Sequence, residues 1–183
     1  MTNILLISED YIKTHSGLNE NIWGSYLTPA IITAQDIKLQ SILGDTLYEV
    51  LLNLVENGRI SASDRRAYKS LLDEYIQPYL MWATLSDLVP IIAIKMANIG
   101  AVISNDEHIQ NISLEERNLL QKFYEDKADF YCRRLQDFLK NTRDENIKFD
   151  LENTKFIKPN LESAASTGLF LGNKRGRRIE EKC

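Results

Sequence analysis

Few residues in this sequence combine the types and the spacing that catalysis or metal binding requires. The two histidines are His15 and His108, and the second follows Asp106 and Glu107 in a polar stretch. Three adjacent ligand-type side chains do not converge on one point of a helix, and the sequence holds neither an HExxH nor an HxxxH pair. We interpret this stretch as a solvated connector, and predict that the protein is not an enzyme and uses no metal or cofactor.

The segment Gly168–Lys174 superficially resembles a phosphate-binding loop. Its spacing differs from that of the motif, the residue before Lys174 is asparagine instead of glycine, and neither Ser nor Thr follows the lysine. The sequence around it also predicts no strand that leads into a helix. A turn or the tip of a β-hairpin is the better interpretation.

A basic cluster directly after this segment is the one local charge excess in the chain. It is interpreted in three ways: a charged, disordered tail, a docking arm, or a contact with DNA phosphates that Glu180 and Glu181 would weaken. In a docking arm, the preceding apolar run would add a strand to a partner's sheet edge while the arginines meet acidic groups. The candidate partner-docking residues are Leu169, Phe170, Leu171, Lys174, Arg175, Arg177 and Arg178.

Length and composition favour one globular domain with an appended arm. The chain has 183 residues, of which 44% are hydrophobic and 26% are charged, and its net charge of −4 argues against a nucleic-acid-binding surface over the whole protein. The most apolar window, residues 79–103, contains Asp87, Lys95 and Pro90, so we expect a core helix and no membrane span. The N-terminus lacks a signal-peptide pattern and the two cysteines form no framework, so we expect synthesis in a reducing cytoplasm.

The first part of the chain, residues 1–27, is predicted to be an extended segment. Asn3–Ile7 is apolar enough for a strand or an arm, and the following residues are mostly irregular. Thr28 and Pro29 then give a helix start, because a hydroxyl caps the backbone and proline suits the first helical position. This helix is expected to end at Gly44.

Two further helices are predicted before residue 100. Asp45 would cap a helix with an apolar face at i, i+3, i+4 and i+7, and Ser61 with Asp64 would cap the next. Pro78 is expected to kink or split that third helix, and Pro90 to break it a second time, because each proline removes a backbone donor.

The strongest helix prediction covers residues 113–141 and opens with a capping box. Its apolar residues predict a core face that three further apolar side chains widen. The face comprises Leu120, Tyr124, Tyr131, Leu135 and Phe138, widened by Leu119, Phe123 and Phe130. The predicted fold is therefore mainly α, a small bundle of four to five helices over residues 28–141, with a C-terminal arm over residues 142–183 for which a short β-hairpin is one option.

The helical body resembles the head–tail connector (adaptor) proteins of tailed bacteriophages, most closely those of crAss-like phages of Bacteroidota. The segments that carry this resemblance are Pro29–Gly44 with Leu47, Tyr48 and Leu51, then Tyr68–Leu80, then Asp126–Tyr131. The resemblance extends over residues 3 to 140, and it rests on packing patterns instead of catalytic motifs.

This resemblance implies a structural virion protein, made in the bacterial host cytoplasm and located in the neck between head and tail. Its copies, twelve by analogy, would form a ring under the portal protein, with the C-terminal arm docked on the portal. The ring would also bind the next neck or tail protein, and DNA would pass through it only as cargo. The alternatives are another neck component, such as a stopper or tail-completion protein, and a helical nucleic-acid-binding regulator. From the weakly core-forming tail we also expect the free protein to be monomeric, with its arm ordered by the portal.

Overall fold

A computed structural model describes residues 4–17, 24–99 and 114–162 of the chain, and for residues 93–99 it describes the backbone alone. These residues form a helical bundle, so the predicted mainly α fold is confirmed. The α-helices are α1 (Glu9–Ser16), α2 (Gly24–Thr33), α3 (Gln40–Leu43), α4 (Asp45–Glu56), α5 (Arg66–Leu71), α6 (Gln77–Ile99), α7 (Leu114–Asn141) and α8 (Glu145–Glu152).

Two π-helical turns join pairs of these helices into longer rods. Ala34–Leu39 continues α2 into α3, and Leu72–Ile76 continues α5 into α6. In the second turn the backbone N–H of Gln77 donates to the carbonyl of Leu72, five residues back. Pro78 has no N–H to donate to the carbonyl of Glu74. The helix therefore continues through wider π-helical hydrogen bonds there instead of ending.

The predicted break at Pro90 was wrong, because α6 runs through it to Ile99. One proline removes one backbone hydrogen bond, and tight packing of the helix can offset that loss. Four side chains in the turns before Pro90 are buried, namely Thr84, Leu85, Ser86 and Leu88.

Two predicted helix starts also differ from the structure. α2 begins at Gly24, and the hydroxyl of Thr28 donates to Glu9 of α1 instead of capping a helix. The predicted pair of Ser61 and Asp64 lies in two short 3-10 turns, and α5 starts only at Arg66. Thr28 thus contacts another helix instead of capping its own, and Asp64 pairs with its neighbour Arg65.

The N-terminal segment contains a helix that the sequence interpretation missed. Ser8 caps α1 by accepting from the N–H of Tyr11, and Ile12 is fully buried. The preceding residues, 4–7, form no helix or strand and are held against the bundle: the side-chain amide of Gln35 donates to Ile4 O (3.0 Å) and accepts from the N–H of Leu6 (2.9 Å).

The core lies where α2, α6 and α7 pack together and continues under α4. Its largest fully buried side chains are Ile7, Ile12, Leu27, Ile31, Leu39, Leu43, Leu47, Leu51, Leu71, Ile76, Leu80 and Leu85. In the part of the chain that the structure describes, no helix is both long and apolar enough to cross a membrane.

The chain after Asn141 continues to pack on the bundle instead of leaving it as an arm. Asp144 caps α8 by accepting from two backbone N–H groups, and Ile147 of α8 is fully buried against the body. α8 lies on α4, and an extended stretch, residues 153–162, then runs back over the bundle. The packed body therefore reaches about twenty residues beyond the boundary predicted at residue 141.

Candidate docking surfaces

The extended stretch 153–162, which we call the return segment, is tied to the corner between α3 and α4. Asp45 was predicted to cap α4, but Gly44 occupies the cap position. The carboxylate of Asp45 instead accepts from the backbone N–H groups of Lys155 (3.1 Å), Phe156 (2.6 Å) and Ile157 (3.4 Å). Its own N–H donates to the carbonyl of Ile157 (3.1 Å). One side chain thus fixes three successive residues that lie 110 to 112 positions further along the chain.

The electrostatics of Asp45 suit this role. Desolvation opposes its ionisation, but the hydrogen bonds from Phe156, Lys155, Ile157 and Thr46 together outweigh it, so the pKa of Asp45 lies below its ordinary value. The carboxylate is therefore charged at neutral pH. The hydrogen bonds to the return segment are charge-assisted.

Gly44 makes the close approach of the return segment possible. Its backbone has φ +77° and ψ 168°, a conformation essentially restricted to glycine. A Cβ atom there would lie 2.9 Å from Ile157 O, 2.9 Å from Thr154 Cγ2 and 3.0 Å from Pro159 Cδ. Gly44 thus leaves room for residues 154–159, and Asp45 binds three of them.

The far end of the return segment is fixed to α7. The backbone N–H of Asn160 donates to Ser41 O (2.9 Å), and the buried amide of Gln136 donates to the carbonyls of Asn160 (3.0 Å) and Glu162 (3.1 Å). The end of the return segment is therefore held at a defined point beside α3 and α7.

α7 carries an exposed apolar stripe that the sequence interpretation assigned to the core. Leu119, Phe123 and Phe130 are 68%, 51% and 62% exposed, whereas Leu135 and Leu139 are buried. At 100° per residue, the three exposed side chains fall on one side of the helix and the buried pair on the other. We call Leu119, Phe123 and Phe130 the outer stripe. α7 therefore has one apolar side that is buried and another that is exposed.

A second surface feature is a cavity of about 340 Å³ between α4, α5 and α8, which we call the α4–α8 cavity. Its lining includes apolar side chains of α4 (Val50 and Leu54) and the cationic side chains of Arg59 and Arg65. Phe149 of α8 also lines it and is 63% exposed. Asp150 lines the cavity too, and Arg65 lies 3.3 Å from Asp64, so the cavity combines an apolar surface with charges of both signs.

The buried ionisable groups near these surfaces are held in structural contacts. The hydroxyl of Tyr68 donates to Asp150 (2.6 Å), and desolvation raises the pKa of both groups. Arg65 lies over the ring of Tyr68. Burial also raises the pKa of the Cys132 thiol to about 11, which disfavours a nucleophilic thiolate at neutral pH.

The residues chosen from sequence as partner-docking candidates lie outside the described part of the chain. These are Leu169, Phe170, Leu171, Lys174, Arg175, Arg177 and Arg178. His108 with its acidic neighbours and the proposed hairpin tip at Gly168–Lys174 lie outside it as well. Among the described residues, no group of three His, Cys, Asp or Glu side chains could hold a metal ion.

Comparison with known families gives one match. Residues 39–157 match the model of a family of unknown function, DUF6712. The chain belongs to this family. No curated protein and no solved structure matches it.

The DUF6712 match covers the elements that form the surfaces described above. It begins at the end of the first π-helical turn and ends at Ile157, so it contains Gly44, Asp45 and the three residues that Asp45 binds. It also includes the whole of α7 with its outer stripe, and α8. The first half of the return segment is thus a part of the family's shared region.

Proposed function

We propose that this protein is a structural virion protein, a head-to-tail adaptor subunit whose copies form a ring between the portal protein and the tail. The observation that carries this proposal is the return segment. Asp45, Gly44 and Gln136 fix its two ends, so the C-terminal arm would start from one rigid point on the bundle. A subunit that must hold a partner at a defined place needs such an origin for its arm.

The composition of that arm supports portal docking. Leu169–Leu171 offers an apolar run that could add a strand to a sheet edge of the portal, and the basic cluster that follows could pair with acidic groups. Backbone pairing and charge-assisted hydrogen bonds would then act within ten residues of each other.

The outer stripe of α7 supports a second contact. Large exposed apolar side chains arranged on one helix face are typical of surfaces that a partner covers. In a ring each subunit has two neighbours and a layer above and below, so more than one such surface is expected on it. DNA would cross the ring as cargo, without sequence-specific contacts.

Binding to the purified portal protein tests the proposal. The full chain should co-sediment with the portal, whereas a chain that stops after Glu162 should not, because it keeps the body and lacks the arm. A variant with all four basic residues of the cluster changed to Glu should bind more weakly, and added salt should weaken the full chain in the same direction. Equal binding by the full and shortened chains would overturn the role of the arm.

The same proteins distinguish the rival functions. A stopper or tail-completion protein would bind a preformed adaptor–portal complex and not the portal alone. A nucleic-acid-binding regulator would shift duplex DNA at physiological salt with a steep salt dependence, and the basic-cluster variant would lose that shift. We expect no specific DNA shift from the full chain.

A further inference from the structure

A groove of about 290 Å³ lies between α7 and the rod that the first π-helical turn forms with α3, and we call it the α3–α7 groove. Asn160 and Glu162 of the return segment line it, so the described residues of the C-terminal region end within it. Its α7 wall is formed by four side chains that are spaced i, i+3, i+4 and i+7 and therefore share one side of the helix, namely Asp129, Cys132, Arg133 and Gln136.

The return segment runs antiparallel to the wall that α3 forms. Ile157 is hydrogen-bonded to Asp45, and Asn160, three residues later, donates to the carbonyl of Ser41, four residues earlier. The chain thus runs from the start of α4 back along α3, and beyond Ser41 the same wall of the groove continues to Lys38. The groove therefore extends ahead of the return segment, in the direction in which its residues run.

Gln136 provides a hydrogen-bond acceptor that no described residue uses. Its side chain is 4% exposed, and its amide nitrogen donates to the carbonyls of Asn160 and Glu162, which orients the amide. No described residue donates to the amide oxygen, Oε1. Because a buried acceptor without a donor costs free energy, this oxygen points to a ligand with an N–H or O–H group. A peptide backbone carries such a donor at every residue except proline.

The residues that follow Glu162 have the composition that this site requires. Residues 163–166 read Ser-Ala-Ala-Ser, four small and uncharged residues in succession. The groove is lined by charges of both signs, with Lys38 and Arg133 opposed by Asp129 and Glu162, so it favours a neutral occupant. Its α7 wall is about 10 Å long, a distance that an extended chain covers with about three residues. A short run of small residues thus suits the groove in length, size and charge.

We propose that residues 163–166 lie in the α3–α7 groove of their own molecule and that one of their backbone N–H groups donates to Gln136 Oε1. The occupant is this segment because its attachment to Glu162 gives it a high effective concentration at the groove. The part of the arm that is left for a partner then begins near Thr167. The inference goes beyond the proposed function, since it concerns the free protein and holds whichever partner the arm binds.

Cys132, in the wall of the groove, permits a test by disulfide formation. All variants are full length and carry Cys183→Ser, which leaves Cys132 as the one native cysteine. Each of four groove variants adds one cysteine, at position 163, 164, 165 or 166. The matched control is Asn173→Cys, at least seven positions further along the chain. A disulfide requires the two Cα atoms to lie within about 7 Å of each other, so rapid formation reports a segment that lies in the groove.

The rate of oxidation in dilute protein, followed by non-reducing electrophoresis and mass spectrometry, gives the readout. We expect at least one groove variant to form the intramolecular disulfide about tenfold faster than the Asn173→Cys control, because the groove holds its cysteine near Cys132. The low reactivity of Cys132 is common to all variants and cancels in this comparison. A freely moving tail would give nearly equal rates, since closing a loop of about 30 residues costs almost the same entropy as closing one of about 40.

Hydrogen exchange of the wild-type protein tests the contact with Gln136. At least one backbone amide among residues 163–166 should exchange more slowly than it does in an unfolded chain, because it is hydrogen-bonded. The amides of residues 173–178 serve as the internal control, since they lie beyond the groove in the proposed arrangement.

Three results would overturn the inference. Equal oxidation rates in the groove variants and the control would mean that residues 163–166 do not lie in the groove. Disulfide-linked dimers whose yield rises with protein concentration would mean that the groove takes the segment of a second copy. Unprotected amides throughout residues 163–166 would mean that no backbone N–H donates to Gln136 Oε1. Co-sedimentation with the portal is a separate measurement, so a failure here is distinguishable from a failure of the proposed function.

Discussion

Replacement of Gly44 by alanine is the sharpest perturbation of the return segment. The backbone conformation at Gly44 (φ +77°, ψ 168°) costs any other residue about 1–3 kcal/mol. The new Cβ would also meet Ile157 O at 2.9 Å, a backbone atom that cannot move without the segment. Displacing the segment would break its backbone hydrogen bonds to α3 and α4, each worth about 1 kcal/mol. We therefore expect Gly44→Ala to lower the free energy of unfolding by about 4 kcal/mol.

Gly58→Ala is the matched control for this change. Gly58 also has a positive φ (+63°), but no atom lies within 4 Å of the position that its Cβ would take. It should therefore carry only the cost of a left-handed backbone, about 1–2 kcal/mol. The difference between the two variants isolates the contact with the return segment.

Urea unfolding and limited proteolysis with trypsin measure the two consequences. Gly44→Ala should unfold at lower urea than Gly58→Ala, and trypsin should cut it faster at Lys155 and Lys158, which lie on the displaced segment. If both variants lose the same stability and are cut at Lys155 and Lys158 at the same rate, the reasoning about the close approach is refuted.

Four further predictions follow from individual residues. Because the pKa of Asp45 is depressed in the folded protein, the stabilisation by its carboxylate is complete at neutral pH and is lost as the pH falls below the ordinary value of 3.8. Asp45→Asn should therefore weaken the fall in the free energy of unfolding at acid pH. An unchanged fall would contradict this prediction. Asp150 has a raised pKa, so its ionised form opposes folding, and Asp150→Asn should hold or raise the stability measured by urea unfolding at pH 7; a large loss there would refute this. Leu135→Ala should cost about 2–5 kcal/mol, whereas Phe130→Ala should cost under about 1 kcal/mol because its side chain is exposed, and thermal unfolding should rank them in that order. Cys132, with a pKa of about 11 against the ordinary 9.0, should react with iodoacetamide at pH 8 about 100-fold more slowly in folded than in unfolded protein, in a Cys183→Ser background; equal rates would contradict its burial.

Periodicity predicted the helices better than it predicted what each helix face contacts. α7 runs to Asn141 as expected, and Leu135 lies in the core. Yet Phe123 and Phe130, assigned to a widened core face, are exposed. The spacing places Phe123 and Phe130 on the opposite side of the helix from Leu135, but only the tertiary arrangement decides which of the two sides is covered.

The contacts of Asp45 could not be predicted from the sequence, because its partners lie far away along the chain. Asp45 follows Gly44 at a helix start, which is the local signature of a capping residue. Its partners are the N–H groups around Phe156, and no local pattern reports a contact more than 100 residues away. α8 was missed for a related reason: it has eight residues, and its one fully buried side chain, Ile147, depends on α4 for its burial.

Backbone breakers were also over-interpreted. Pro90 inside α6 is accommodated, because one missing donor costs less than the packing that the continuous helix gains. Pro29, predicted at the first helical position, instead lies inside α2, which begins five residues earlier. The effect of Pro78 was closer to expectation, since a π-helical turn directly precedes it. Local propensity thus located these irregularities but did not fix their form.

The measurement that tests the central claim most directly is single-particle imaging of the full chain mixed with its portal protein. The adaptor account predicts a ring of additional density at one end of the portal, with bundles of the size described here and contacts from their C-terminal arms into the portal. A chain that ends after Glu162 should leave the portal bare under the same conditions. A portal that stays bare in the presence of excess full-length protein would contradict the account.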